Sequence, residues 1–282
     1  MDVTDEAEAV ARTIAGRLGL RVVELHSIGD CIAAGELVRQ VWDAASADSV
    51  VNASTMRAFA HSGNYVAGAY AGDLLVGVAV AFRGDGHLHS HVAGVLPGHQ
   101  GGGVGHALKQ HQRGWSLRHG IDRVAWTFDP LIRRNAVFNL RKLGADATEY
   151  LPDFYGPLDD GVNAGDVTDR LYIEWHLDSP AAIGAARGTP ADADPAGAAT
   201  LLADADDRPV PGSAAPDGGP LLIAVPRDIE ALRTRDPHLA AAWRVALREA
   251  VTSTLTRGYA ISGITRTGSY LLRHPEHQEV PR

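Results

Sequence analysis

One segment limits the fold of this chain more than any other: Pro97-Gly98-His99-Gln100-Gly101-Gly102-Gly103-Val104-Gly105, four of whose last six residues are glycine. Before it, 64–70, 74–83 and 87–95 read as strands, separated by Ala71-Gly72-Asp73 and Gly84-Asp85-Gly86, which suit tight turns. The three should form an antiparallel meander. After it, 104–119 reads as a helix with Gly120 as its C-cap. A chain that passes from a strand through glycines straight into a helix can bring several backbone N–H groups to the positive end of a helix dipole, with no side chain to hold an anion off. That is the chemistry of a phosphate cradle. The same glycines would also permit tight strand-to-helix packing, and spacing alone leaves both readings open.

The remaining pattern places helices near 6–18, 32–44 and 54–61, strands near 21–25 and 123–128, and a helix from Asp129-Pro130 to Leu143 that Gly144 stops. Extended runs follow at 147–151 and 171–177. Strands and helices interleave, which predicts an α/β fold about one central sheet. Between Ser179 and Pro220 the sequence is almost entirely Ala, Gly, Pro, Asp and Thr without a sustained apolar period, so a linker or long surface loop is expected. The division is then 1–178, a linker at 179–220, and a smaller C-terminal α/β part at 221–282 with strands at 221–225 and 259–264. Its helix, 237–257, carries Leu239, Trp243, Leu247, Val251 and Leu255 at near-helical spacing, a face expected to pack on the first domain or a partner subunit.

Composition narrows the function. With 282 residues and 45% hydrophobic content, one or two domains with a sizeable core are expected. Acidic residues outnumber basic ones by 34 to 26, which disfavours a nucleic-acid or anionic-membrane binder. The most apolar stretch, 65–82, is broken at 71–73, so no membrane span is expected. The acidic start, Met1-Asp2-Val3-Thr4-Asp5-Glu6, has no secretory signal pattern, and a cytoplasmic protein is expected. Cys31 is the only cysteine, which excludes an intrachain disulfide and a Cys-based zinc ribbon; in its apolar helix it reads as packing.

Two phosphate-binding motifs fail here. The loop lacks the third glycine of Gly-x-Gly-x-x-Gly and follows a meander strand, and no Gly-Lys-Ser/Thr ends it, since Lys109 lies more than a turn into the helix. What remains is Val95-x-Pro97-x-x-Gln100-x-x-Gly103-x-Gly105-x-x-Leu108. This resembles the acyl-coenzyme A motif of the GNAT acyltransferase superfamily, Gln/Arg-x-x-Gly-x-Gly/Ala, and the order of elements is similar from about 21 to 151. Leu88-His89-Ser90-His91, Trp126-Thr127-Phe128-Asp129-Pro130-Leu131, Arg134-Asn135-Ala136, Asp169-Arg170-Leu171 and Glu174-Trp175 further resemble a GNAT branch with an added C-terminal part.

The resemblance implies a GNAT fold, with a mixed, largely antiparallel sheet flanked by helices. It also implies an N-acyltransferase that moves an acetyl or succinyl group from acyl-CoA to the amine of a small molecule, amino acids included, by direct attack and without a metal. Acetyl-CoA or another acyl-CoA is the expected cosubstrate. Its pantetheine arm would pair with Ala93–Val95, and its diphosphate would rest on Gln100, Gly101, Gly102, Gly103, Val104 and Gly105. Asn135 and Asn139, four apart on one helix face, could bond the cofactor arm or equally cap backbone groups, and Arg133 or Arg134 could reach outlying phosphate or carboxylate groups or form a solvated face. A homo-oligomer stays open.

Acyl transfer to an amine needs a proton acceptor and a proton for the leaving thiolate. His87, His89 and His91 alternate along one strand and share a face with Ala93 and Val95. His91 and His89 are the candidate proton relay. Hydrogen-bonded core histidines, or a His-x-His-x-His metal site with hydrolytic function, are the alternatives. Many GNAT relatives carry a tyrosine four residues before the glycine matching Gly144, where this chain has Leu140. Tyr155 is the candidate acid, with solvent as the alternative. The missing tyrosine keeps a second function in play, a CoA-binding or sensing module with degenerate catalysis. Trp126 and Phe128 read as core.

Overall fold

A computed structural model describes residues 2–47, 50–157, 166–212 and 218–274. The chain divides into two compact units: the first is mainly residues 1–126 with 176–179, and the second mainly 127–158, 163–175 and 180–282.

The first unit opens with α1 (Val3–Arg17), β1 (Leu20–Glu24), α2 (Ile28–Trp42) and α3 (Ala53–His61). Ala7, Ala11 and Ile14 give α1 its buried stripe, with acidic residues in its first turn and Arg17 in its last, as the helix dipole favours. Ser27 and Asp30 close a capping box on α2, and Asn52 caps α3. The sheet follows with β2 (Tyr65–Ala71), β3 (Leu74–Arg83) and β4 (Leu88–Val95), then α4 (Val104–Arg118) and β5 (Arg123–Phe128). β1, β2, β3 and β4 pair antiparallel in chain order, which is the expected meander. Their apolar residues Val66, Val78, Val80 and Val92 pack with Leu25, Val38 and Met56. Cys31 is in this cluster, and burial pushes its thiol pKa up, as befits packing.

Two irregularities in β4 shape the unit. Val80 faces Val92 and Ala81 faces Ser90, so His91 is the extra residue of a bulge. β4 also runs parallel to β5, but their ladder holds only Leu88 with Val124 and His89 with Ala125. Among the described residues, the β5-facing edge of 90–95 has no ladder partner.

The second unit begins with α5 (Arg133–Ala136), which passes into a π-helical stretch at Val137–Lys142. The helix expected from Asp129-Pro130 therefore starts later, because the Asp129 carboxylate accepts the Leu131 N–H and shapes a turn first. Next come β6 (Asp146–Leu151), β7 (Arg170–His176), α6 (Pro180–Ala186), β8 (Ala199–Ala205), β9 (Arg208–Pro211), β10 (Leu221–Ala224), α7 (Ile229–Arg235), α8 (Pro237–Thr256), β11 (Ala260–Ile264) and β12 (Ser269–Arg273). The strand order is β7-β6-β11-β12-β10-β8-β9, antiparallel except for β10 with β8.

This corrects the expected linker. Residues 179–220 contribute a helix and two strands, and β8 is hydrogen-bonded in the second unit's sheet. Alanine-rich segments give weak periodicity, yet Ala182, Ala185 and Leu202 are buried. The boundary moves as well, to between Trp126 and Thr127, within β5. The apolar face of α8 stays within the second unit, where Trp243, Leu247 and Val251 are buried and the helix meets β6, β8, β9 and β10. The described architecture is thus mixed α/β, with a mixed, mostly antiparallel sheet flanked by helices.

Candidate functional site

The site is built where β4 hands over to α4. Gly77 on β3 lets the helix settle on the sheet, since a Cβ there would lie 2.9 Å from Val104 and 3.0 Å from Leu108. Gln100 turns back and donates from Nε2 to the Val95 carbonyl at 3.1 Å, closing the loop on the strand that feeds it. Gly101 and Gly103 have φ of 75° and 93°, backbone that L side chains avoid. Gly103 is the α4 N-cap and brings no side-chain acceptor.

Consequently the N–H groups of Gly101, Gly102, Gly103, Val104 and Gly105 donate no well-formed hydrogen bond within the described residues. Gln100, Gly101 and Gly102 are exposed, and a Cβ on Gly101 would meet nothing within 4 Å. The corner is exposed at 100–102 and lies at the positive end of a 15-residue helix.

The β4 histidines do share a face. Ring centroids lie 6.3 Å apart for His87 with His89 and for His89 with His91, and Phe82 packs against both His89 and His91. Ala93 and Val95 continue the same alternation, while Leu88, Ser90, Val92 and Gly94 are buried on the other face. Burial, followed by the charges of His91, His87 and Lys109, lowers the His89 pKa to about 4. His91 keeps part of its surface in solvent, and the protein packed around it lowers its pKa too. Both rings are neutral near pH 7. Spread along a strand, the three rings do not converge, and among the described residues no cluster of three His, Cys, Asp or Glu could hold a metal ion.

Tyr155, Asn135 and Asn139 belong to the second unit. The Tyr155 hydroxyl is 3.1 Å from that of Thr127, its ring is exposed, and the Arg170 guanidinium lies 5.4 Å from its centroid. Tyr150 is no substitute acid, since its buried hydroxyl donates to Asp169 at 2.6 Å and its pKa is pushed strongly up. The shared helix face expected for Asn135 and Asn139 is corrected: the first lies in α5 and the second in the π-helical stretch, where a wider turn breaks the four-residue alignment. Asn139 is 4% exposed. Arg134 is engaged by Glu230.

A further residue went unread in the sequence. Lys109, one turn beyond Gly105, is buried beneath β4, where it donates to Ser90 Oγ at 2.9 Å and Gln112 Oε1 at 3.1 Å and sits 3.8 Å from the Trp126 ring centroid. Desolvation lowers its pKa to about 7. A lysine in a helix reads as solvated, and only Ser90 set among apolar and histidine positions hinted at a polar partner.

Residues 36–145 match the sequence model of the Acetyltransferase (GNAT) family. No curated protein matches the chain. Among solved structures, the ribosomal-protein-S18-alanine N-acetyltransferase from Escherichia coli is 14% identical, with 57% of this chain and 95% of that one covered at a TM-score of 0.45. A GNAT family acetyltransferase from Elizabethkingia anophelis with acetyl-CoA bound is 13% identical over 56% and 98%, with a TM-score of 0.44. A GNAT family acetyltransferase from Streptococcus pneumoniae is 12% identical over 55% and 97%, with a TM-score of 0.45. No described helix is long and apolar enough to cross a membrane.

Proposed function

We propose that this protein is an acyl-CoA-dependent N-acyltransferase that moves an acetyl or succinyl group to the amine of a small molecule. One observation carries the reading: a row of N–H groups without well-formed partners at the start of α4, exposed at Gly101 and Gly102, directly follows a strand whose edge, among the described residues, has no ladder partner beyond His89. The row suits a diphosphate, and the edge of Ala93–Val95 suits an extended amide-bearing arm. The matched GNAT segment, 36–145, contains both.

When bound, acyl-CoA supplies an activated thioester. The chain supplies the rest. His91, neutral at pH 7, accepts the proton of the incoming ammonium at an imidazole nitrogen, and His89 passes it along the strand. His91 lies on the face that carries Ala93 and Val95. Solvent returns a proton to the thiolate. Leu140, where relatives carry a phenol, favours a second reading as a CoA-binding module without turnover.

The test measures thiol release from acetyl-CoA and succinyl-CoA over an amine panel, with binding followed in parallel. Turnover supports the transferase, and binding without turnover supports the sensing module. Gly102→Trp tests the loop itself, because a Cβ there meets only the His99 carbonyl at 3.6 Å and the fold tolerates it. If its affinity for acyl-CoA equals the wild type's, the loop assignment is wrong.

A further inference from the structure

Lys109 is a buried cation that lacks a counter-charge. Its Nζ has two neutral acceptors, Ser90 Oγ and Gln112 Oε1, and the face of Trp126. No carboxylate among the described residues pairs with it, whereas the other fully buried cation of α4, Arg113, has Glu6 at 3.6 Å. The ionisable groups near it are His89, with His91 and His87 along the same strand, and none of these carries negative charge. The N-terminus of its own helix adds positive potential at the same end.

Burial and the positive potential around it oppose a proton on Nζ, the two neutral acceptors and the Trp126 face offset this only in part, and no carboxylate among the described residues completes the compensation. Lys109 lies four residues past Gly105, about 6 Å along the helix axis, and the exposed glycines form the open end of that helix. We propose that Lys109 is the internal counter-charge for the anion that binds at 100–105, taking up a proton from solvent as that anion arrives. The proposal rests on the functional reading above and adds to it a reporter outside the loop. The free protein then holds a partly neutral amine under β4, and the loaded protein an ammonium that keeps Ser90, and with it the bulge at His91, in place.

The linkage has a definite sign. The Lys109 pKa of about 7 in the free protein should rise by about one pH unit on binding, the order of magnitude for one nearby charge in a partly screened interior. At pH 7 that is an uptake of about 0.4 proton per ligand, and a contribution of about fivefold to affinity that fades as pH rises past 8.

Free coenzyme A, which cannot turn over, is the probe. Titration calorimetry in buffers of different ionisation enthalpy should show Lys109→Met lacking that uptake, binding about fivefold more weakly at pH 7, and matching the wild type at pH 9.5. Lys109→Arg, always charged, should retain affinity without the uptake. Nuclear magnetic resonance of the lysine side chains in the wild type gives a readout independent of the variants, with the Lys109 titration moving upward when coenzyme A is added. Coenzyme A that binds while leaving the Lys109 titration and the proton count unchanged overturns this inference alone. Coenzyme A that does not bind overturns the functional reading, and this inference with it.

Discussion

Each unit of the protein buries charge, and one site in each does it in opposite ways. In the second unit, Asp129 is bonded by Arg244 at 2.8 and 2.9 Å and by Arg233 at 2.6 Å, and Asp166 accepts from both guanidiniums at 2.8 Å. Burial alone would raise the Asp129 pKa, but the two arginines hold it down at about 2. Asp169 is tied likewise, to Arg248 and Tyr150. In the first unit, Lys109 has only neutral partners and a pKa of about 7. A closed ion network answers to its own unit's packing, since every charge finds its partner inside. An unanswered charge beside an open anion-binding corner answers to something that comes from outside.

The comparison breaks or sharpens under four measurements. The largest effect is expected for Asp129→Asn, which takes from Arg233 and Arg244, 8% and 2% exposed, one of the two carboxylates they share. A loss of about 3–5 kcal/mol in denaturant unfolding of the full chain is expected. A loss below about 1 kcal/mol would mean the network is incidental.

Lys109→Met should act in the other direction. Because the folded pKa lies below the unfolded one, the unfolded chain binds more protons between about pH 7 and 10.5, and wild-type stability rises with pH across that window. At pH 7 the variant should be the more stable, by up to about 4 kcal/mol for a fully buried group, and its stability should be flat over the same range. A wild type that is flat as well contradicts the buried, depressed amine.

His91→Ala should lower kcat about 100-fold with little change in acyl-CoA affinity, the usual scale for losing a general base. The wild-type rate should be level at neutral pH and decline only on the acid side of the ordinary imidazole range, because burial lowers the His91 pKa and keeps the ring unprotonated at neutrality. An acid limb that persists in the variant assigns the base elsewhere. Gly102→Trp should weaken acyl-CoA binding about tenfold or more while thermal unfolding stays put, the smallest of the four in free energy.

Much of the first unit was legible in the chain. The turn residues at 71–73 and 84–86 announced the meander, and the alternation of His87, His89 and His91 carried over to ring spacings of 6.3 Å. Period-two geometry is local, so it survives folding. The second unit was harder to read. Residues 179–220 lack periodicity, yet β8 and β9 form there because neighbouring strands satisfy their backbone, and β12, not expected from the sequence, completes the same sheet. Asn135 and Asn139 were aligned by α-helical arithmetic that a π-helical turn cancels.

The sequence by itself determined that glycines must carry the chain from a strand into a helix at 97–105, because only glycine tolerates φ of 75° and 93° there, and that imidazoles must line one side of the preceding strand. Tertiary structure alone decided which charges would meet a partner. Lys109 and Arg244 look alike in a sequence, but one is packed under β4 among neutral groups and the other between two carboxylates. Electrostatic energy depends on distance and solvent access, and neither exists until the chain has folded.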